Sequence, residues 1–210
     1  MQILKVSSKN LKKVIKKAAD VIKKGGVVIC PTDTVYGLIA DAKNYSAVKK
    51  VFEIKKRKPN KPFPVFVKDI KAAKTLAFIS QTQEKFLKKF WPGKLTAVLK
   101  AKSFKFPEGI ISKDKKIGLR IPDYKILNVI IKKTDVPLVA TSANITGQKA
   151  SGKVKEVIKQ FENKKHQPSL VLDAVNLKKS LPSTVIDMES FNILRKGQIS
   201  REEISRATGI

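Results

Sequence analysis

Of the 45 basic residues in this chain, only five are arginine, at positions 57, 120, 195, 201 and 206; the other 40 are lysine. A chain that otherwise uses lysine keeps arginine where a planar, two-pronged donor is needed. Arg201 and Arg206 fall on a C-terminal helical pattern and read as surface residues. The three internal arginines lie in "IKKRKPNKPFP" (54–64), "GLRIP" (118–122) and "ILRKG" (193–197). Three more polar segments, "PTDT" (31–34), "TSAN" (141–144) and "PST" (182–184), each stand at the end of a strand pattern. Ligands of α/β sheets gather at strand ends. Taken singly, each segment is a turn or a cap. Taken together, they describe a site for an anionic small molecule, assembled from distant parts of the chain. No acid–base pair accompanies these donors, so the chemistry that fits is positioning plus charge stabilisation, as in phosphoryl and nucleotidyl transfer.

Several other chemistries are excluded or demoted. The single histidine, His166, sits in the polar stretch "NKKHQPS" and reads as a surface loop residue. No Cys/His cluster has zinc spacing, and no dedicated metal ligands are expected. "GQKASGKV" places Gly147, Gly152 and Lys153 at P-loop spacing, but Val154 stands where a P-loop needs a hydroxyl for magnesium. Cys30, in the apolar "VVIC", is the only cysteine; it reads as a buried core residue, rules out an internal disulfide and makes a reducing cytoplasm the expected location. No apolar run approaches the ~20 residues of a membrane span, and the first residues lack a signal-peptide pattern. The net charge of +28 favours polyanionic partners such as nucleotides or RNA, although the basic residues run through every segment rather than along one stripe.

The elements that must hold these segments alternate. "QILKV" reads as a strand, and Ser8 opens a helix with Leu11, Val14, Ile15, Ala18 and Ile22 on one face. "VVIC" is a buried strand followed by the loop "PTDTVYG". Ser46 is the expected N-cap of the helix "SAVKKVFEIKK", with Val48, Val51 and Phe52 inward. The basic loop leads to the strand "FPVFV", and Asp69 caps a short helix. Ser80 and Gln83 form a capping box. The strands "LTAVLKA" and "KIGLRIP" follow, then a helix capped by Asp123, the strand "LVATSA" and the helix "KVKEVIKQF". "SLVLDAV", "STVIDM" and "FNILRKG" are strands, and Ser200 with Glu203 caps a last helix. The pattern is α/β with a mixed sheet, and a single domain over residues 1–210 is expected.

The segments "PTDTVYGL", "IKKRKPNKPFPVFV", "WPGKLTAVL", "GLRIP", "VATSANITG", "PSTVID" and "ILRKG" occur in the order found in the YrdC-like family of threonylcarbamoyl-AMP synthases. Over about residues 8–198 the chain resembles that family, in its short form. The resemblance implies a twisted mixed β-sheet with flanking helices around a positively charged cavity. It implies that L-threonine, bicarbonate and ATP are joined into threonylcarbamoyl-AMP and pyrophosphate. A separate threonylcarbamoyl transferase complex would then carry the group to an adenosine beside the anticodon of certain tRNAs. Lys55 and Arg57 match the family's K-x-R element, and Ser142 and Asn144 its S-x-N element, as catalytic residues. By similarity, Thr34, Phe66 and Ala140 (the last two through their backbone), Arg120 and Ser183 would bind L-threonine. Arg57, Lys61, Lys116, Ser142, Ala150 and Arg195 would bind ATP, with Mg²⁺ carried on the triphosphate. Lys58 stands where the family often has proline. Ala150 stands where it often has a hydroxyl, which Ser151 would supply instead. The rival from another class is an RNA-binding module that holds RNA backbone in a basic cavity without catalysis; the charge favours it, and an aromatic content of only 7% weighs against it. Direct contact with tRNA is compatible with either.

Overall fold

The computed structural model describes residues 1–102 and 105–208. Four of the helices described begin where a side chain satisfies free backbone N–H groups. α1 (Leu11–Lys23) buries Val14, Ile15, Ala18, Ala19 and Ile22 and turns its lysines to solvent. It starts three residues later than Ser8 suggests. Asn10 precedes it without capping it, because that side chain accepts from Ser7 N and donates to Lys5 O. α2 (Tyr45–Lys55) is capped by Asn44 rather than Ser46: Asn44 Oδ1 accepts from Ala47 N at 3.0 Å, and the Ser46 hydroxyl donates to the same oxygen at 2.8 Å. α3 (Ile70–Leu76) carries the expected Asp69 cap, and α4 (Gln81–Phe90) the Ser80–Gln83 capping box. α5 (Lys125–Thr134) has no side-chain cap; Asp123 instead donates its N–H to Asp33 Oδ2. α6 (Val154–Phe161) is followed, after three strands, by α7 (Arg201–Thr208), capped reciprocally by Ser200 and Glu203.

The strands form two mixed sheets. The first runs β1 (Gln2–Lys5), β9 (Leu170–Asp173), β2 (Val28–Cys30), β3 (Gly37–Ile39), β8 (Thr141–Ser142). Its first three strands are parallel and its last two pairings antiparallel. The second runs β11 (Ile193–Arg195), β10 (Thr184–Asp187), β5 (Leu95–Lys100), β6 (Lys116–Arg120), β4 (Val65–Phe66), β7 (Leu138–Val139). α1 and α5 cover a smaller apolar cluster with Val28, Cys30, Leu170 and Leu172 of the first sheet. The larger cluster joins the second sheet to α2, α4 and α6, with Phe52 stacked on Phe63 at 4.3 Å.

Two strands depart from the sequence pattern. β3 begins inside the stretch expected to be all loop. "LVATSA" is two strands, one in each sheet, because the chain changes partner at Ala140. Val139 pairs with Val65 of β4, and its N–H donates to Ala40 O, just past β3, at 2.8 Å. Ala140 N–H then donates to Pro64 O at 2.8 Å, and Thr141 pairs with Leu38 of β3. A lone antiparallel bridge between Asp41 and Leu138 completes the seam. The α/β class with mixed pairing holds, and the one mixed sheet expected from the alternation is divided into two mixed sheets joined at β7.

The capping geometry sets an outcome. Asn44→Ala should lower the unfolding free energy by about 1 kcal/mol, the usual worth of an N-cap, and Ser46→Ala by only a few tenths. Urea midpoints of both variants decide it; the larger loss at Ser46 would reverse the assignment.

Candidate active site

A cavity of about 390 Å³ lies between the two sheets beside this seam. The loop after β2 contributes Thr32 and Thr34, β4 Phe66, β5 Thr96, β6 Lys116, Gly118 and Arg120, and the seam Ala140, Thr141 and Ser142. Arg57 follows α2, Ala150 precedes α6, and Ser183 and Arg195 border β10 and end β11. Every residue expected at the site lines it except Lys55, Lys61 and Asn144, and no carboxylate does among the described residues.

The three arginines are held alike. Arg57 donates from Nε and Nη2 to Lys61 O, at 3.1 and 2.7 Å, and lies over the Phe63 ring. Arg195 donates from the same edge to Ser183 O, at 3.2 and 2.9 Å. Arg120 donates from Nε to Gly93 O at 2.8 Å and from Nη2 to Asp33 Oδ1 at 2.6 Å, an ion pair almost wholly buried. In each guanidinium one edge is clamped, and Nη1 has no hydrogen bond within the described residues. Among the described residues that are not exposed, no buried side-chain nitrogen or oxygen lacks a partner, so the Nη1 groups of Arg57 and Arg120 must reach accessible space; Arg195 is itself an exposed residue. Burial lowers the affinity of all three for their protons. The charge of Arg195 adds to the effect at Arg57, and that of Arg120 at Arg195, whereas Asp33 opposes it at Arg120. Three like charges thus converge on one space with a single carboxylate among them.

Lys55 lies behind the wall. Its ammonium donates to Ser142 O (2.7 Å), Asn144 O (2.8 Å) and Asn144 Oδ1 (3.2 Å), which uses all three protons. Asn144 Oδ1 also accepts from the Ser142 hydroxyl at 2.5 Å, and its amide nitrogen donates to Ile145 O and Gln148 O. The K-x-R and S-x-N segments are therefore bonded to each other, with Lys55 and Asn144 as the internal braces and Arg57 and Ser142 facing the cavity. Lys61 supplies only its carbonyl, to Arg57. Lys116 lines the cavity, yet its ammonium is bound to Asp187 (2.8 Å) and Glu189 (2.5 Å), which raise its pKa.

Two hydroxyl pairs complete the lining. Thr32 Oγ1 donates to Val35 O at 2.6 Å, receives Thr34 N–H at 3.0 Å and lies 3.0 Å from Thr34 Oγ1. Ser183 Oγ lies 2.9 Å from Thr96 Oγ1 and receives Arg195 Nη2 at 3.0 Å. Lys153 is exposed and paired with Glu156, outside the cavity, in keeping with the missing P-loop hydroxyl. His166 is a surface residue beside Glu53. Sequence reasoning missed Thr32, Asp33 and Thr96. Asp33 stood in a flagged segment, but its partner Arg120 is 87 residues away, and no local pattern announces such a pairing.

The fold is mixed α/β, and its polar loops turn three arginines into a cavity that no carboxylate lines among the described residues. The chain belongs to the Sua5/YciO/YrdC family, whose model, described as "Telomere recombination", matches residues 20–197. It is 38% identical over 208 residues to a putative threonylcarbamoyl-AMP synthase of Methanocaldococcus jannaschii, covering 98% of this chain and 96% of that protein. It is 34% identical over 198 residues to the threonylcarbamoyl-AMP synthase of Pyrococcus abyssi, covering 93% of this chain but only 57% of the relative. The crystal structure of P. abyssi Sua5 complexed with L-threonine superposes with a TM-score of 0.88 at 31% identity, over 99% of this chain and 60% of that one. Escherichia coli YciO shares the fold, with a TM-score of 0.84 at 23% identity over 97% and 98% of the two chains.

Burial, with the charge of Arg57 second, lowers the pKa of Lys55 from the ordinary 10.5 to about 7. The unfolded chain keeps this proton up to about pH 10.5 and the folded chain releases it near 7, so between those values unfolding takes up a proton and stability rises with pH. Urea midpoints of wild type and Lys55→Met, measured at pH 6.5 and 9.5, should show the wild type gaining on the variant at the higher pH. Parallel changes would mean that Lys55 keeps an ordinary pKa.

Proposed function

We propose that this chain is an L-threonylcarbamoyladenylate synthase acting as a single domain in the cytoplasm. The observation that carries this reading is the set of three clamped arginines with open ends in one cavity, in a chain whose relatives bear that name. The threonine amine, freed of its proton, attacks bicarbonate and gives a carbamate and water. A carbamate oxygen attacks the α-phosphorus of ATP, the bond to the bridging oxygen breaks, and pyrophosphate leaves. Arg120 takes the threonine carboxylate on its free end, for which the planar fork is shaped. Thr34, Ser183 and the backbone at Phe66 and Ala140 surround the amino acid. Arg57 and Arg195, neither paired with a carboxylate, give the cavity its net positive charge and offset charge growing on the phosphates. Ser142 and the wall at Ala150 face the nucleotide, and Lys55 and Asn144 hold Ser142 in place. Lys116 contacts phosphate only by leaving Asp187 and Glu189, and Lys61 only by swinging its side chain in from outside the cavity lining.

Mg²⁺ would neutralise the triphosphate. The residues here do not form a cage for it: no group of three or more Asp, Glu, His or Cys gathers among those described, and Asp33 and Asp187 are bound to Arg120 and Lys116. No step is therefore assigned to a protein-held metal. The product is consumed by a threonylcarbamoyl transferase complex that modifies tRNA.

Pyrophosphate release should require ATP, L-threonine and bicarbonate together, and omission of any one should abolish it. Release without threonine, or RNA binding with no turnover, would overturn the reading. Arg57→Ala should cut turnover by ~10²-fold or more, whereas Lys58→Ala, on the solvated side of the loop, should do little. Arg120→Lys keeps the charge and loses the fork. It should raise the threonine KM by the equivalent of about 1.5–3 kcal/mol and leave the ATP KM nearly unchanged. An unmoved threonine KM would place the carboxylate elsewhere.

A further inference from the structure

We propose that two buried threonines, Thr32 and Thr96, act as positioning residues that give the cavity's two hydroxyls opposite hydrogen-bonding polarity: Thr34 presents only lone pairs to the ligand, and Ser183 presents its proton. This inference rests on the reading of the cavity as the threonine site.

The assignment follows from counting protons. A hydroxyl has one proton and two lone pairs. Thr32 gives its proton to Val35 O, so it can only accept from its other neighbours, Thr34 N–H and Thr34 Oγ1. The Thr34 proton is thereby spent, and its oxygen faces the cavity as an acceptor. Ser183 Oγ already receives Arg195 Nη2, and Thr96 Oγ1 has no other partner within the described residues. If Ser183 donated to Thr96, the proton of Thr96, a residue only 3% exposed at the cavity wall, would have no partner within the described residues. If Thr96 donates to Ser183, both Ser183 lone pairs are filled and its proton is left for the ligand, made more acidic by the guanidinium and hydroxyl bound to its oxygen. The backbone makes room for Thr32 at Gly37, where a Cβ would come within 3.2 Å of Thr32 Cγ2. The acceptor suits the amine or side-chain hydroxyl of the amino acid, and the donor suits a carboxylate or carbamate oxygen.

The experiment is steady-state pyrophosphate release with wild type, Thr96→Val, Thr96→Ser, Ser183→Ala and the Thr96→Val/Ser183→Ala double variant, with urea midpoints for each. Thr96→Val, nearly isosteric but without the proton donor, should lower kcat/KM for threonine about tenfold, the worth of one directed hydrogen bond to a charged group, and leave the ATP KM unmoved. Thr96→Ser should stay within about twofold of wild type. The double variant should be no worse than Ser183→Ala alone, because Thr96 acts only through Ser183. Thr32→Val and Thr32→Ser should show the same loss and rescue, and they decide the matter if Thr96→Val does not fold. A Thr96→Val enzyme equal to wild type, or additive losses in the double variant, would overturn this inference and leave the synthase reading intact. A wild type that releases no pyrophosphate would overturn that reading instead.

Discussion

Three guanidinium groups share one small cavity, and they repel. Left on flexible side chains, they would swing apart into water, where screening makes the repulsion cheap. The structure prevents this by binding the inner edge of each to something that cannot move. Lys61 O holds Arg57, Ser183 O holds Arg195, and Gly93 O with Asp33 holds Arg120. Much of the surrounding architecture can be understood as support for these anchors. α2 ends so that the chain turns back to offer the Lys61 carbonyl, and β10 and β11 pair so that Arg195 reaches Ser183. The loop after β2 places Asp33 against Arg120 and Asp123. The repulsion that remains is what an anionic ligand would relieve.

The seam at Ala140 contributes the second constraint. Because β7 and β8 belong to different sheets, the two walls of the cavity meet along one short piece of chain. Lys55 stiffens that piece from behind by filling three oxygen acceptors at Ser142 and Asn144. A lysine is well suited to the task, since one ammonium carries three protons, one for each acceptor.

Much of this was legible in the sequence. The rarity of arginine singled out the three residues that line the cavity, and the polar strand ends marked most of its remaining walls. The α/β class and the short capping motifs at Asp69, Ser80 and Ser200 were read from local pattern, because a cap depends on residues three apart. What was not legible depends on contacts far along the chain. Asn44 and Ser46 are both good N-caps by type, and only the path of the chain decides between them. Whether Lys55 faces the ligand or the interior depends on residues nearly ninety positions on. The break of "LVATSA" into two strands has no turn residue to announce it, since neither glycine nor proline interrupts the run. Asp33 and Thr96 do their work through single distant partners, Arg120 and Ser183, which local periodicity does not register.

The anchors of Arg57 and Arg195, and one of the two on Arg120, are main-chain carbonyls, and every residue type carries one. Lys61 could therefore drift in identity over many generations while the guanidinium fork of Arg57 stayed where it is, whereas Gly93 could not, because a Cβ there would come within 2.5 Å of Phe90 O. Changes of length are a different matter. One residue inserted between Arg57 and Lys61, or between Ser183 and Arg195, would shift the carbonyl out from under its arginine. In descendants of this chain the stretches between each of these arginines and its carbonyl should vary more in spelling than in spacing.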